Sequence, residues 1–107
     1  MGASKINIHT KNHNKIAKIA KVFAHPARVA ILYYISKKES CICNDIVDEI
    51  GLSQATISQH LQVIKNAGLL KGQFKGKRLC YCIDIKKLNE FQDVMNRYFI
   101  KTQVNSC

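Results

Sequence analysis

The stretch at residues 51–70, GLSQATISQHLQVIKNAGLL, constrains this chain more than any other. Ser53 stands where a helix should begin, since its hydroxyl can accept from a free backbone N–H of the first turn. Ile57, Leu61 and Ile64 then recur at helical spacing, with Val63 and Ala67 beside them, and define one apolar face. Gly68 ends the helix, because glycine best tolerates the left-handed conformation of a C-cap, and Leu69 closes the hydrophobic contact of that cap. The opposite face carries Gln54, Thr56, Ser58, Gln59, His60 and Gln62. These are uncharged hydrogen-bonding groups, not the Glu/Lys mixture of an ordinary solvated face. Amides and hydroxyls can read base edges in a groove.

Just upstream, residues 44–50 (NDIVDEI) make a short amphipathic helix with Ile46, Val47 and Ile50 inward, stopped by Gly51. Two helices joined by a tight glycine turn, the second polar and uncharged outside, predict a helix-turn-helix. A helical hairpin from any small bundle is the alternative, and the charge balance decides against it. The 107 residues include 17 Lys and Arg against 7 Asp and Glu, a formal net charge of +10. Such a chain suits a polyanion, either nucleic acid or an anionic membrane surface. The longest apolar run, residues 29–35, is far too short to span a bilayer. The N-terminal MGASKINIHTKNHNK is polar throughout and reads as no signal peptide. Ile6 stands where a myristoylation motif needs Ser or Thr.

At this point the sequence resembles the ArsR/SmtB family of winged-helix repressors. LSQATISQHLQVIKNAGLL is similar to that family's recognition-helix signature. The resemblance runs from about Ile16 to Phe99 and takes in AKVFAHPARVAIL before the motif and the Cys-x-Cys of SCICNDI. It implies a mainly α fold with a small β-hairpin wing, dimeric through its first and last helices. It also implies a repressor that holds operator DNA as a homodimer. Five cysteines in a chain that reads as leaderless point to a reducing cytoplasm, no membrane partner is expected, and the lack of a Gly-rich loop or acid pair beside Cys and His argues against an enzyme. A Cys-x-Cys at this position implies an inducer site for arsenite, antimonite, cadmium, lead or zinc.

The rest of the chain fits that frame. Length allows one domain, and a chain this small gains by burying apolar surface against a twin. Residues 1–14 are expected to form a flexible basic arm, residues 15–104 the winged domain, and residues 105–107 a tail. The first helix is expected over residues 15–24, with Ile16, Ile19 and Phe23 on one face. Pro26 suits the first position of a second helix. Residues 28–36 are apolar nearly all round, which predicts a central buried helix. The family pattern has an acidic residue before this proline, and His25 in its place predicts a weak cap. Residues 69–73 and 79–83 read as two strands turned at Gly76, a wing whose tip bears Lys75, Lys77 and Arg78. Beside a reading helix these cations hold phosphates, and Ser53 adds a contact at the helix start. Residues 86–104 form the last helix, with Leu88, Phe91 and Tyr98 at helical spacing.

The chain has five cysteines, an odd number with no leader, which favours free thiols or metal ligands over a disulfide framework. Cys41 and Cys43 in an extended segment point to one side and could converge on a soft ion; they also precede a helix N-terminus, which favours thiolate. Two sulfurs leave the site incomplete. Ile46 stands where arsenic regulators of the family often have a third cysteine. His9 and His13, one helical turn apart, are candidate further ligands from the arm of a twin subunit, a mixture that suits zinc. Their alternative is solvated histidines in a basic arm. Cys80 and Cys82 read as small core-facing hydrophobes flanking Tyr81. Two rivals keep the DNA-binding fold. In one, Cys41 is a redox or persulfide sensor paired with Cys107 or Cys43. In the other, the dimer binds DNA and senses nothing.

Overall fold

A computed structural model of the protein describes residues 10–39, 41–42, 45–105 and 107. The expectations for His9 and Cys43 lie outside the described residues. The chain runs α1 (Lys11–Val22), α2 (Pro26–Ser36), α3 (Asp45–Ile50), α4 (Gln54–Asn66), β1 (Leu70–Lys75), β2 (Arg78–Ile83) and α5 (Ile85–Lys101). It is mainly helical, with one antiparallel hairpin in the register Leu70↔Ile83 to Lys75↔Arg78.

Local chemistry sets the helix ends. α1 starts earlier than expected, because Thr10 accepts from the His13 backbone N–H at 3.1 Å while His13 Nδ1 accepts from the Thr10 N–H at 3.5 Å. This reciprocal capping box turns residues 11–14 of the expected arm into the helix's first turn. His25 does cap α2, against the expectation of a weak start: its Nδ1 accepts from the Ala27 N–H at 3.0 Å. An imidazole nitrogen thus does what a carboxylate would have done. Asp84 Oδ1 accepts from the Lys87 N–H at 3.1 Å and opens α5. Gly76, at φ +66°, takes the first of the two hairpin loop positions, where a side chain would be strained.

The core gathers one face of every helix: Ile19 and Val22 of α1, Ile31, Leu32 and Ile35 of α2, Ile46 of α3, Ile57, Leu61 and Ile64 of α4, and Phe91 of α5. Ile42, Leu69 and Leu70 close it beneath the hairpin. α2 is not buried all round as its composition predicted. Val29 and Tyr33 are exposed, because the chain packs against only one side of this helix. α1 and α5 pack side by side and leave an apolar groove of about 570 Å³ lined by Ile19, Ala20, Phe23, Leu88, Phe91, Gln92 and Met95.

Candidate nucleic-acid interface and thiol corner

α4 forms where its sequence requires. The Thr56 N–H donates to Ser53 Oγ at 3.2 Å, and Ser53 Oγ donates to Thr56 Oγ1 at 2.9 Å. Ile57, Leu61 and Ile64 are buried, so the helix is fixed by its inner face. The chain leaves it through Gly68 at φ +90°, and the Leu69 N–H donates to Ile64 O. Gln54, Ser58, Gln59 and Gln62 are exposed and Thr56 is half-buried. The outer face of α4 therefore offers amides and hydroxyls, as expected.

The hairpin adds charge. Lys75, Lys77 and Arg78 are all exposed, and none of them forms an ion pair among the described residues. A cleft of about 370 Å³ lies between α4 and the wing, where Gln54 and Ser58 face Lys77 and Arg78. Hydrogen-bonding groups that suit base edges thus stand beside cations that suit phosphates.

His60 departs from the other residues of that face. It is half-buried, with its ring centroid 4.5 Å from that of His25 and its Nδ1 3.3 Å from Arg28 Nη1. A guanidinium only donates, so Nδ1 must accept, and the ring is neutral with its proton on Nε2. Burial, then the nearby His25 and Arg28, hold its pKa below the ordinary value of 6.5. Arg28 also donates from Nε to Val22 O at 3.0 Å and from Nη2 to Lys21 O at 2.8 Å. One side chain therefore closes the end of α1 and joins it to α2 and α4. Sequence reasoning passed over Arg28, because nothing local marks an arginine whose acceptors lie on two other helices.

The cysteines are arranged differently from the sequence expectation. The Ile42 N–H donates to Tyr81 O at 2.9 Å and the Tyr81 N–H donates to Ile42 O at 2.8 Å, so the segment before α3 pairs with β2. That pairing puts Cys41 against Cys82, and the two are joined as a disulfide with Cα atoms 4.7 Å apart. Neither Cys82 nor Cys80 is therefore a simple core-facing hydrophobe: Cys80, although fully buried, is disulfide-bonded as well. The expected partners of Cys41 in a redox sensor were Cys107 or Cys43; Cys107 is a free, exposed cysteine. Gln73 Oε1 of β1 lies 3.1 Å from Cys41 Sγ. His13 is exposed and engaged with Thr10. Among the described residues, no group of three or more His, Cys, Asp or Glu is placed to hold a metal ion.

Comparison with known proteins places this geometry. Residues 25–71 match the model of the bacterial regulatory protein, arsR family. The chain is 35% identical over 91 residues to a Staphylococcus aureus cadmium resistance transcriptional regulatory protein, a CadC homolog, covering 81% of this chain and 74% of that protein. The chain belongs to the ArsR family. It is also 28% identical to an arsenical resistance operon repressor of Staphylococcus xylosus, over 90% of this chain and 89% of that one. An ArsR-like transcriptional regulator from Rhodococcus shares the fold, with a TM-score of 0.72 at 16% identity over 86% of each chain. This ArsR protein is accordingly a winged helix-turn-helix transcriptional repressor and not an enzyme. Among the described residues, no helix is long and apolar enough to cross a membrane.

Proposed function

We propose that this ArsR protein is a homodimeric repressor that leaves its operator when a thiophilic metal or metalloid ion binds at Cys41 and Cys43. The cleft that brings Gln54 and Ser58 of α4 to Lys77 and Arg78 of the wing carries the DNA half of the proposal. In it, Gln54, Thr56, Ser58 and Gln59 read bases, with His60 held at the margin by Arg28. Ser53, Lys75, Lys77 and Arg78 hold phosphates. The apolar groove between α1 and α5 supports pairing with a second copy, which would set two α4 helices about 34 Å apart in successive major grooves.

For the inducer half, thiolates are soft donors that select zinc, cadmium and similar ions, and relatives named for cadmium and arsenical resistance support that class. The residues fit such an ion in donor chemistry, provided the sulfurs are reduced. A bound ion would supply a soft Lewis acid that accepts thiolate lone pairs. This chain's residues supply the donors and the elements those donors tie together. His9 and His13 remain candidate further ligands. A coupling of about 1–3 kcal/mol between ion and operator would change DNA affinity some 5- to 150-fold.

The Cys41–Cys82 disulfide favours a second reading, release by oxidation. A hydroperoxide would take two electrons and two protons from the thiols, leaving a disulfide, an alcohol and water. Fluorescence anisotropy of the reduced protein on its own upstream DNA separates the two. Stoichiometric release by arsenite, cadmium or zinc, abolished in the C41S/C43S variant, supports the ion. Release of metal-free protein by hydroperoxide alone moves the function to redox sensing. Tight operator binding with release by neither places the signal outside these cysteines.

A further inference from the structure

The contact between Cys41 and Cys82 reaches beyond a Cys-x-Cys site. We propose that Cys82, on the second wing strand, supplies a thiolate to the same soft-ion site as Cys41, so that a bound ion ties the entrance of α3 to the DNA-facing hairpin. This rests on the ion-binding reading above and adds a ligand from a different element.

Three observations carry it. The sulfurs of Cys41 and Cys82 are in bonding contact, although the residues stand 41 apart in sequence. Their approach is fixed by backbone, because Ile42 and Tyr81 exchange two hydrogen bonds beside them. Both cysteines are half-buried and open onto a cavity of about 330 Å³ whose walls include Ile35, Lys38, Glu39 and Ile83, a path large enough for an ion to enter. Two sulfurs held together by the fold, and reachable from outside, form a preorganised pair of soft donors once they are thiols.

The chemistry balances without a change in the ion's oxidation state. A phosphine and one water reduce the disulfide to two thiols, giving phosphine oxide. Each thiol then loses its proton and donates a lone pair to the ion. A disulfide donates no thiolate, so the oxidised corner is the form that cannot bind. The consequence lies in the wing. β2 begins at Arg78 and continues through Cys82. An ion held between Cys82 and Cys41 therefore restrains the strand that presents a phosphate-binding cation against the first helix of the motif.

The test uses the full chain, reduced with a phosphine, and cadmium ion alone as the probe. Alkylation rates of each cysteine are read by mass spectrometry with and without cadmium. Cys41 and Cys82 should be protected together, each at least about tenfold, while exposed Cys107 reacts unchanged. In parallel, the C82S and C41S variants should each weaken cadmium binding by about tenfold or more, followed by thiolate-to-cadmium charge-transfer absorbance. The alkylation arm needs no substitution, so a variant that folds poorly does not blunt the result. Protection of Cys41 with no change at Cys82 overturns the wing ligand and leaves the Cys41/Cys43 site standing. Protection of Cys82 alone overturns a shared site. Protection of neither removes both this inference and the ion-binding function on which it rests.

Discussion

Helix α4 and the corner where Cys41 meets Cys82 are built in opposite ways. α4 carries its own instructions in consecutive residues: Ser53 starts it, Ile57, Leu61 and Ile64 anchor it, and Gly68 lets the chain leave. The corner has almost no local code. It exists because an extended segment before α3 pairs with β2 through Ile42 and Tyr81, and because β2 has been aligned by its hairpin with β1. The contrast separates what each part can do. A self-specified helix presents a fixed outer face, whereas a corner assembled from two distant segments can report on their relative position.

Four changes would break or sharpen that contrast. The largest effect should come from I64A. Ile64 is completely buried in the stripe that seats α4, and its truncation should cost about 2–5 kcal/mol in chemical denaturation. If α4 were held mainly by its own caps, the loss would stay well under 1 kcal/mol. Next, replacing Lys75, Lys77 and Arg78 together by Ala should weaken operator binding on the order of a hundredfold. It should also flatten the plot of log K against log salt, by about 0.9 for each phosphate that is no longer neutralised. An unchanged slope would remove the wing from the interface.

S53A should cost about 1 kcal/mol, since the cap N–H of Thr56 loses its acceptor. A thermal melt equal to the parent's would show that the stripe alone sets the helix start. The smallest effect concerns His60. Its folded pKa lies below 6.5, so protonation favours the unfolded chain. Its contribution is complete above that pH and is lost as pH falls below 6.5 toward the lowered value. H60Q should flatten the stability–pH curve just below pH 6.5. A curve of identical shape would show that the contact with Arg28 does not depend on a neutral ring.

Much of the arrangement of α4 and the hairpin was legible because its signals are local. The glycine turn, the uncharged face of α4, the basic hairpin tip and the glycine at its turn each follow from residue type within a few positions. Errors arose where a residue's role depends on what packs over it. His25 looked like a poor cap by residue type, yet its ring nitrogen reaches the Ala27 N–H. α2 looked buried by composition, but this chain supplies neighbours on one side only, and Tyr33 stays exposed. His60 shares the spacing of the polar outer face of α4, but Arg28 of α2 and His25, the residue that caps it, lie against the ring.

The sequence alone determined the order of elements, the inward face of each helix of the motif and the positive wing, because periodicity, capping and charge act over one or two turns. Tertiary structure decided that Arg28 locks three helices together, that His60 is a neutral acceptor and that Cys82 is the residue that meets Cys41. Each of these depends on the register between segments far apart in the chain. That register is set by collective burial beneath the hairpin and among the helices, a property no short stretch of residues possesses.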